Sequence, residues 1–438
     1  MAKAKKEEIF SPGDKVRLVC GKEEYEGILL PRKDGDTGFI TLKLPSGYNI
    51  GVSQARVDKF ELVEKASAKV DSSGAKTTLP QPEGKTVSII ACGGTIASRI
   101  DYKTGAVYPA TTPEELLASF PKIDPATVRA KTLFSMLSED MSPEHWMEIA
   151  KAAHAEIKDG AQGVVITHGT DTMTYTSSAL SFMLQNLPCP VVLTGSQRSS
   201  DRGSSDSAIN MQSAVTAAKS DLSGVFVCMH EGMSDDRCAL HFGAKVRKMH
   251  TTRRDAFRSI NVMPAARIFH SQNNVEKLSD HCSPRRPEAK PTLDTKMNPN
   301  VALIYSFPGI QPKFIESLSS YDGVVIAGTG LGHIPINRSK DKLSTSILEP
   351  VKKLIDSGIP VVLTSQCIYG RVDMNVYANG RALREAGVIG HMCDFTPECA
   401  YTKLMWVLGH EKKQDKIQKL METNLAGEIS ERSEIIPY

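Results

Sequence analysis

The chain runs to 438 residues, 40% hydrophobic and 24% charged, with 53 Lys and Arg against 50 Asp and Glu for a formal charge of +3. That is the composition of an ordinary folded protein of about two to four domains, and it excludes long disordered, collagen-like and coiled-coil architectures. A balance this even gives no general footprint for non-specific nucleic-acid or anionic-membrane binding, though a local basic patch stays compatible with it.

No apolar run approaches the ~20 residues of a spanning helix, so no membrane association is expected. The opening MAKAKKEEIF lacks the apolar stretch of a signal peptide. Nine scattered cysteines without a metal-type CxxC pair suit reduced thiols better than a disulfide framework, and the expected compartment is the cytoplasm.

Residues 10 to 63 alternate apolar and polar in short bursts (KVRLV, YEGILL, FITLKL, YNIGV) between the turn clusters PGDK, KDGDTG and PSGY. Short strands at this spacing predict a small all-β, SH3-like barrel over residues 1–63. Fifteen basic and thirteen acidic side chains over residues 1–85 make a docking or spacer module a better reading than a nucleic-acid binder. Residues 64–85, rich in Ser, Lys, Ala, Pro and Gly, read as a solvated linker.

Beyond it the pattern changes. TVSIIA (86–91), GVVIT (163–167), PVVLT (190–194) and GVFVCM (224–229) are continuous apolar runs, as expected of strands buried on both faces of a parallel sheet. Helix-length segments separate them; in SPEHWMEIAKAAHAEIKDG, Ser142 is placed to cap, Pro143 to open and Gly160 to end a helix. A second set, VALIYS (301–306), GVVIAG (323–328) and PVVLTS (360–365), predicts another α/β domain. Domains are thus expected at 86–280 and 299–438, with proline-rich residues 272–298 between them. In open α/β sheets, ligands sit at the carboxyl ends of the strands.

Three loops there carry chemistry. In ACGGTIAS, Gly93 and Gly94 let backbone approach a ligand and Thr95 offers a hydroxyl. With neither GxGxxG nor GxxxxGK[ST] present, nucleotide binding at this loop is not expected. In THGTDTM, His168, Thr170, Asp171 and Thr172 follow a buried strand; a hydroxyl beside a carboxylate can activate a nucleophile, but Thr and Asp also cap helices. KVRKMHTTRRDAFRS reads as a solvated charge run or as the carrier of one buried basic lysine, and the spacing does not choose which. There is no HExxH, no zinc-spaced Cys/His set and no GxSxG, so threonine is the leading nucleophile. Cys367, in SQCIYG, has no identifiable histidine partner and reads as structural.

On these residues the chain resembles the L-asparaginase/glutaminase family. CGGTIAS is similar to that family's first threonine motif and VITHGTDTM to its second, with VVLTGSQR, VIAGTGLGH and AGVIG in support, over about residues 85 to 410. SPGDKVRL, YEGILLP, LKLPSGYNIGV, SRIDYKTGAVYPA and VRKMHTTRRDAFRSIN further resemble the D-type class of archaeal glutamyl-tRNA(Gln) amidotransferase subunits, which carries an extra N-terminal barrel. The implied fold is two-domain, asparaginase-like α/β with open parallel sheets, preceded by the barrel.

The resemblance implies Thr95 as nucleophile on a side-chain amide, assisted by Tyr108 in a lid loop. It implies Thr170, Asp171 and Lys248 as a second triad, with the lysine acting as base through Thr170. Ser138 is implied to hold the substrate α-carboxylate and Asp171 its α-amino group, while backbone N–H groups near Gly94 or Gly169 are expected to bind the oxyanion. Cys92 stands where the family usually has threonine, and reads as a small packing residue. No cofactor is expected on this chain; ATP and Mg are implied at a partner, the E-type amidotransferase subunit, within a heterotetramer built on a homodimer. Asn or Gln is implied as amide donor, and Glu-tRNA(Gln) is contacted mainly through the partner. A free-standing asparaginase and a non-catalytic scaffold are the alternatives, disfavoured by the barrel and by the intact threonine set respectively.

Overall fold

The computed structural model describes residues 10–31, 38–46, 48–66, 86–94, 96, 98–100, 107–109, 116–117, 119–199, 202–337 and 342–433. At its start, strict alternation over Lys15–Cys20 turns Val16, Leu18 and Cys20 inward, where they meet Ile40, Leu42 and Val52. The strands Lys15–Cys20, Glu23–Leu29, Phe39–Lys43, Asn49–Ser53 and Lys59–Glu64 form one antiparallel sheet, ordered fourth, third, second, first, fifth. The buried Asp14 carboxylate fastens both ends of this unit, accepting from the N–H groups of Ser11 and Ala66, each at 2.8 Å. From residue 67 to 85 the expected linker lies outside the described residues.

The second unit is built on the apolar runs. Val87–Ala91, Gly163–Thr167 and Pro190–Thr194 are buried at every position and pair in parallel, with Val128–Thr132 outside the first of them. Leu222–His230 continues the parallel order, but the sheet then turns antiparallel through Cys238–Phe242, Ala266–Phe269 and Asn274–Lys277. A parallel crossover needs a dozen or more residues, and the short turn 231–237 can only make a hairpin. Helix Pro143–Lys158 starts as expected: Ser142 caps it, with its N–H donating to His145 Nδ1 at 3.0 Å, and Pro143 takes the first turn. It ends at Asp159, followed by Gly160 at φ +86°.

The third unit carries the parallel strands Val301–Tyr305, Gly323–Gly328 and Val361–Ser365. Its helix Pro397–His410 packs directly on helix Met173–Met183 of the second unit. Phe182 and Trp406 lie 6.3 Å apart there, and the Thr402 hydroxyl donates to Ser178 Oγ at 3.0 Å. One apolar cluster runs through both units, so they share a core. The segment between them is not free chain. Asn274–Lys277 is an edge strand, Ser283–Pro284 pairs with Leu222–Ser223, and Thr292–Leu293 pairs with Leu184–Gln185. Arg285 reinforces this course by donating to the carbonyls of Gln162 (2.6 Å), Ala218 (3.1 Å) and Ser220 (2.8 Å).

Candidate active site

Three strand ends converge at the carboxyl edge of the parallel sheet. The first carries Cys92, Gly93 and Gly94, and its last glycine presses on the second loop: a Cβ at Gly94 would lie 2.6 Å from the Gly169 nitrogen. Gly93 and Gly94 adopt φ +92° and +78°, a region costly for side-chain-bearing residues. The glycine pair therefore lets the peptide preceding Thr95 lie against Gly169. Thr95 itself lies outside the described residues. Tyr108 falls in the short strand Val107–Pro109, paired with Ser98–Ile100, and its side chain is likewise outside the description.

The second loop follows Gly163–Thr167. Thr170 is buried, whereas the Asp171 side chain is 68% exposed. Lys248 ends the strand Val246–Lys248, whose partner across a hairpin is Phe257–Ser259. Its Nζ donates to Thr170 Oγ1 at 2.9 Å and to Asp171 Oδ1 at 2.7 Å, with the lysine side chain 13% exposed. Of the lysines in KVRKMHTTRRD, Lys248 thus reaches the threonine loop, while Lys245 is buried in an ion pair with Asp394 at 2.7 Å. Thr170 and Asp171 are not spent on helix capping. Helix Met173–Met183 has Thr172 at its N-cap without a side-chain cap bond, and the Thr172 hydroxyl donates instead to the Ser138 carbonyl at 2.6 Å.

That bond ties the fourth expected residue to the same place. Ser138 is buried against Gly169, where an added Cβ would come within 2.8 Å of Ser138 Oγ. The helix-capping duty near Pro143 belongs to Ser142, leaving Ser138 free of it. Ser138, Thr170, Asp171 and Lys248 are thus brought together. Of the backbone N–H groups expected near an oxyanion, that of Gly94 donates to the Met136 carbonyl at 3.2 Å. The loop's tight seating on Met136, which also excludes any Cβ at Gly93, accounts for that engagement.

Residues outside the expected catalytic set also shape the site. His168 is fully buried, with Nδ1 2.6 Å from the Gly169 carbonyl and Nε2 2.8 Å from Thr176 Oγ1. The carbonyl requires Nδ1 to carry the proton, so Thr176 donates to Nε2. Burial pushes its pKa down to about 4, against a small opposing pull from the Gly169 carbonyl, and the imidazole is a neutral strut under the Thr170 loop. From the third unit, Glu398 pairs with Arg247 at 3.3 Å and Tyr305 Oη accepts from the same guanidinium at 3.3 Å, bracing the strand beside Lys248. His168 stood out in the sequence within THGTDTM and Arg247 within the charge run, while Glu398 and Tyr305 carried no signal. Cys92 is fully buried, and burial pushes its thiol far above the usual range, as expected of a packing residue below the loop. Cys367 is exposed. Among the described residues no group of His, Cys, Asp and Glu is arranged to hold a metal ion, and no helix is long and apolar enough to cross a membrane.

A hydroxyl within proton-transfer reach of a lysine, with a carboxylate on the same ammonium, is the apparatus for activating a weak oxygen nucleophile or for delivering a proton to a leaving amine. Comparison with known proteins agrees in each part of the chain. Residues 86–281 match the family described as Asparaginase, N-terminal, residues 300–421 the Glutaminase/Asparaginase C-terminal domain, and residues 10–63 the GatD N-terminal domain. The chain is similar to the D-type subunit of glutamyl-tRNA(Gln) amidotransferase from Pyrococcus furiosus, 48% identical over 95% of this chain and 94% of the relative. The same protein of Methanobrevibacter smithii is 46% identical over 97% and 95%. Among solved structures, the thermostable L-asparaginase from Thermococcus kodakarensis superposes with a TM-score of 0.70 at 36% identity, covering 79% of this chain and 100% of its own.

Proposed function

The chain belongs to the D-type family of glutamyl-tRNA(Gln) amidotransferase subunits, whose catalytic part is an asparaginase-type amidohydrolase, and from that premise we propose that it releases ammonia from Asn or Gln for the ATP-dependent conversion of Glu-tRNA(Gln) to Gln-tRNA(Gln). The observation that carries the chemistry is Lys248 held on Thr170 and Asp171 at the mouth of the parallel sheet.

In this reading the Thr95 oxygen attacks the side-chain amide carbon, giving a tetrahedral oxyanion. The C–N bond then breaks, the nitrogen leaves as ammonia carrying the proton that the Thr95 hydroxyl gave up on attack, and an acyl ester remains on Thr95. A water molecule, its proton taken by the Lys248 amine through the Thr170 hydroxyl, attacks the ester; the ester C–O bond breaks, that proton passes to the Thr95 oxygen, and aspartate or glutamate is released. Tyr108 assists from its strand, Ser138 receives the α-carboxylate, and Asp171, open to solvent on one side, takes the α-amino group.

ATP and Mg belong to a partner, the E-type amidotransferase subunit, which also makes most of the tRNA contact, and the chain works as a homodimer inside a heterotetramer in the cytoplasm. Support for a role within a complex over a free-standing asparaginase comes from the barrel at residues 10–63, a match to the GatD N-terminal family rather than to either asparaginase family. The test is ammonia release from asparagine and from glutamine, by the chain alone and then with partner, ATP, Mg and Glu-tRNA(Gln). Stimulation by partner and acceptor that disappears in Thr95→Ala is the expected result. Full activity of the isolated chain, unmoved by those additions, would leave an asparaginase and overturn the amidotransferase reading.

A further inference from the structure

The barrel does not hang free of the catalytic unit. Its strand Asn49–Ser53 lies against the loop 202–206: the Ser204 N–H donates to the Asn49 carbonyl at 2.6 Å, and a Cβ at Gly203 would sit 3.1 Å from the Gly51 nitrogen. Just before that strand, Tyr48 packs on the apolar cluster of the catalytic unit with its hydroxyl facing the Asp235 carboxylate.

Asp235 is a junction. It receives the guanidinium of Arg254, a buried side chain that also donates to the Met233 carbonyl. Arg254 lies in the turn 249–256, which joins the strand ending at Lys248 to its hairpin partner and is closed by the Met249 N–H on the Ala256 carbonyl at 2.6 Å. The carboxylate also faces His230 Nε2 at 3.4 Å. His230 Nδ1 is 2.6 Å from Asn210 Oδ1, and Asn210 Nδ2 donates to the Gly195 carbonyl at 2.9 Å. Gly195 in turn sits so close to Thr170 that a Cβ there would lie 2.9 Å from the threonine methyl group. From one carboxylate, one arm reaches the hairpin of Lys248 and another reaches the floor beneath Thr170.

We propose that the N-terminal barrel is part of the positioning apparatus for amide hydrolysis, with Tyr48 acting through Asp235 and Arg254 to hold the Lys248 hairpin in register with Thr170. Lys248 must keep a separation near 2.9 Å from Thr170 to exchange a proton with it, and small misplacements at a reacting pair are costly in rate. Displacing the barrel would loosen that register without touching the substrate, which gives a partner seated on the barrel a means to govern ammonia release. The inference rests on the reading of Lys248 as proton carrier.

The test uses the full chain, with its partner where ammonia release requires it, and compares Tyr48→Phe with the unsubstituted protein. This change removes one hydroxyl and leaves the packed ring. Expected are a roughly 10-fold lower kcat at unchanged KM, and faster amide hydrogen exchange confined to residues 249–256, with the melting temperature unmoved. Asp235→Asn, which also weakens the hold on Arg254, should go further in the same direction. Unchanged kcat, or a lower kcat without faster exchange in that turn, overturns the proposal. Lys248→Met in parallel separates the two readings: full ammonia release from it sinks the assignment of Lys248, whereas its loss together with an indifferent Tyr48→Phe sinks the barrel's role alone.

Discussion

Lys248 Nζ lies 2.9 Å from Thr170 Oγ1, a pairing across 78 residues of chain that places an amine on a hydroxyl at the edge of a buried sheet. The same nitrogen contacts Asp171, so two roles are open to it: counter-ion or proton carrier. Arginine separates them, because a guanidinium keeps the ion pair but does not give up its proton. Lys248→Arg and Lys248→Met should both lower ammonia release by about 10²–10⁴-fold, the range for a lost general base. Thr170→Val should match them. Near-normal turnover in Lys248→Arg would reduce the lysine to a counter-ion.

The first loop predicts a contrast between glycines. At Gly94 an added methyl meets the Gly169 backbone at 2.6 Å, and φ is +78°; at Gly160 φ is +86° but nothing lies within 4 Å. Gly160→Ala should therefore cost only backbone strain, about 1 kcal/mol, with activity intact. Gly94→Ala must also push the two threonine loops apart, and should cut ammonia release by more than about 10-fold even in the folded fraction. Equal activity of the two variants would show that the contact between the loops is unimportant.

The neutrality of His168 has a pH consequence. An imidazole with an ordinary pKa near 6.5 when unfolded, held at about 4 in the buried site, binds its proton first in the unfolded chain as pH falls. Its contribution is therefore complete above pH 6.5, falls as pH drops from 6.5 to 4, and changes no further below that. The whole window is worth on the order of 3 kcal/mol. Urea unfolding from pH 7.5 down to 4.5 should show His168→Gln losing stability less steeply than the unsubstituted chain. Parallel curves would mean that His168 is charged or not buried.

Thiol chemistry offers a cheap check on the same loops. Eight of the nine cysteines are buried and Cys367 is exposed. One equivalent of a thiol reagent should react quickly with the native chain, and Cys367→Ser should abolish that phase without loss of activity. Rapid modification of Cys92, whose thiol burial holds protonated, would mean that the first loop opens to solvent.

What the sequence made legible was local. The alternation over Lys15–Cys20, the unbroken apolar run Gly163–Thr167 and the Ser142-Pro143…Gly160 punctuation each express a period or a cap within a few residues, and each became the expected element. Leu222–His230 looked like its parallel neighbours because burial on both faces leaves the same apolar run whether the next strand is parallel or antiparallel; only the length of the following turn distinguished them. The joining of Thr170, Asp171 and Lys248 was foreseen through a family resemblance and not through spacing. Glu398 on Arg247 and Arg254 on Asp235 had no such guide, since a contact between distant segments leaves no periodic trace. The engagement of the Gly94 N–H by Met136 was hidden for a related reason: glycines announce a close approach without saying what approaches.

The two α/β units should come apart energetically at Lys245 and Asp394. Their side chains pair at 2.7 Å and are each 1% exposed, at a junction where the Asn261 amide also donates to the Asp394 carbonyl at 2.8 Å and Ser430 N–H to its carboxylate at 2.9 Å. Burial pulls the Lys245 pKa down despite the facing carboxylate, the sign of an ammonium held where water cannot reach it. Removing one partner strands the other charge, so Asp394→Ala should destabilise the chain by about 3–5 kcal/mol, read from the denaturant midpoint. Replacing both, as Lys245→Met with Asp394→Leu, removes the stranded charge and should recover part of that loss. If the double substitution costs as much as the two singles added together, the pair is not coupled, and the joining of the units rests on the shared apolar core and their other contacts.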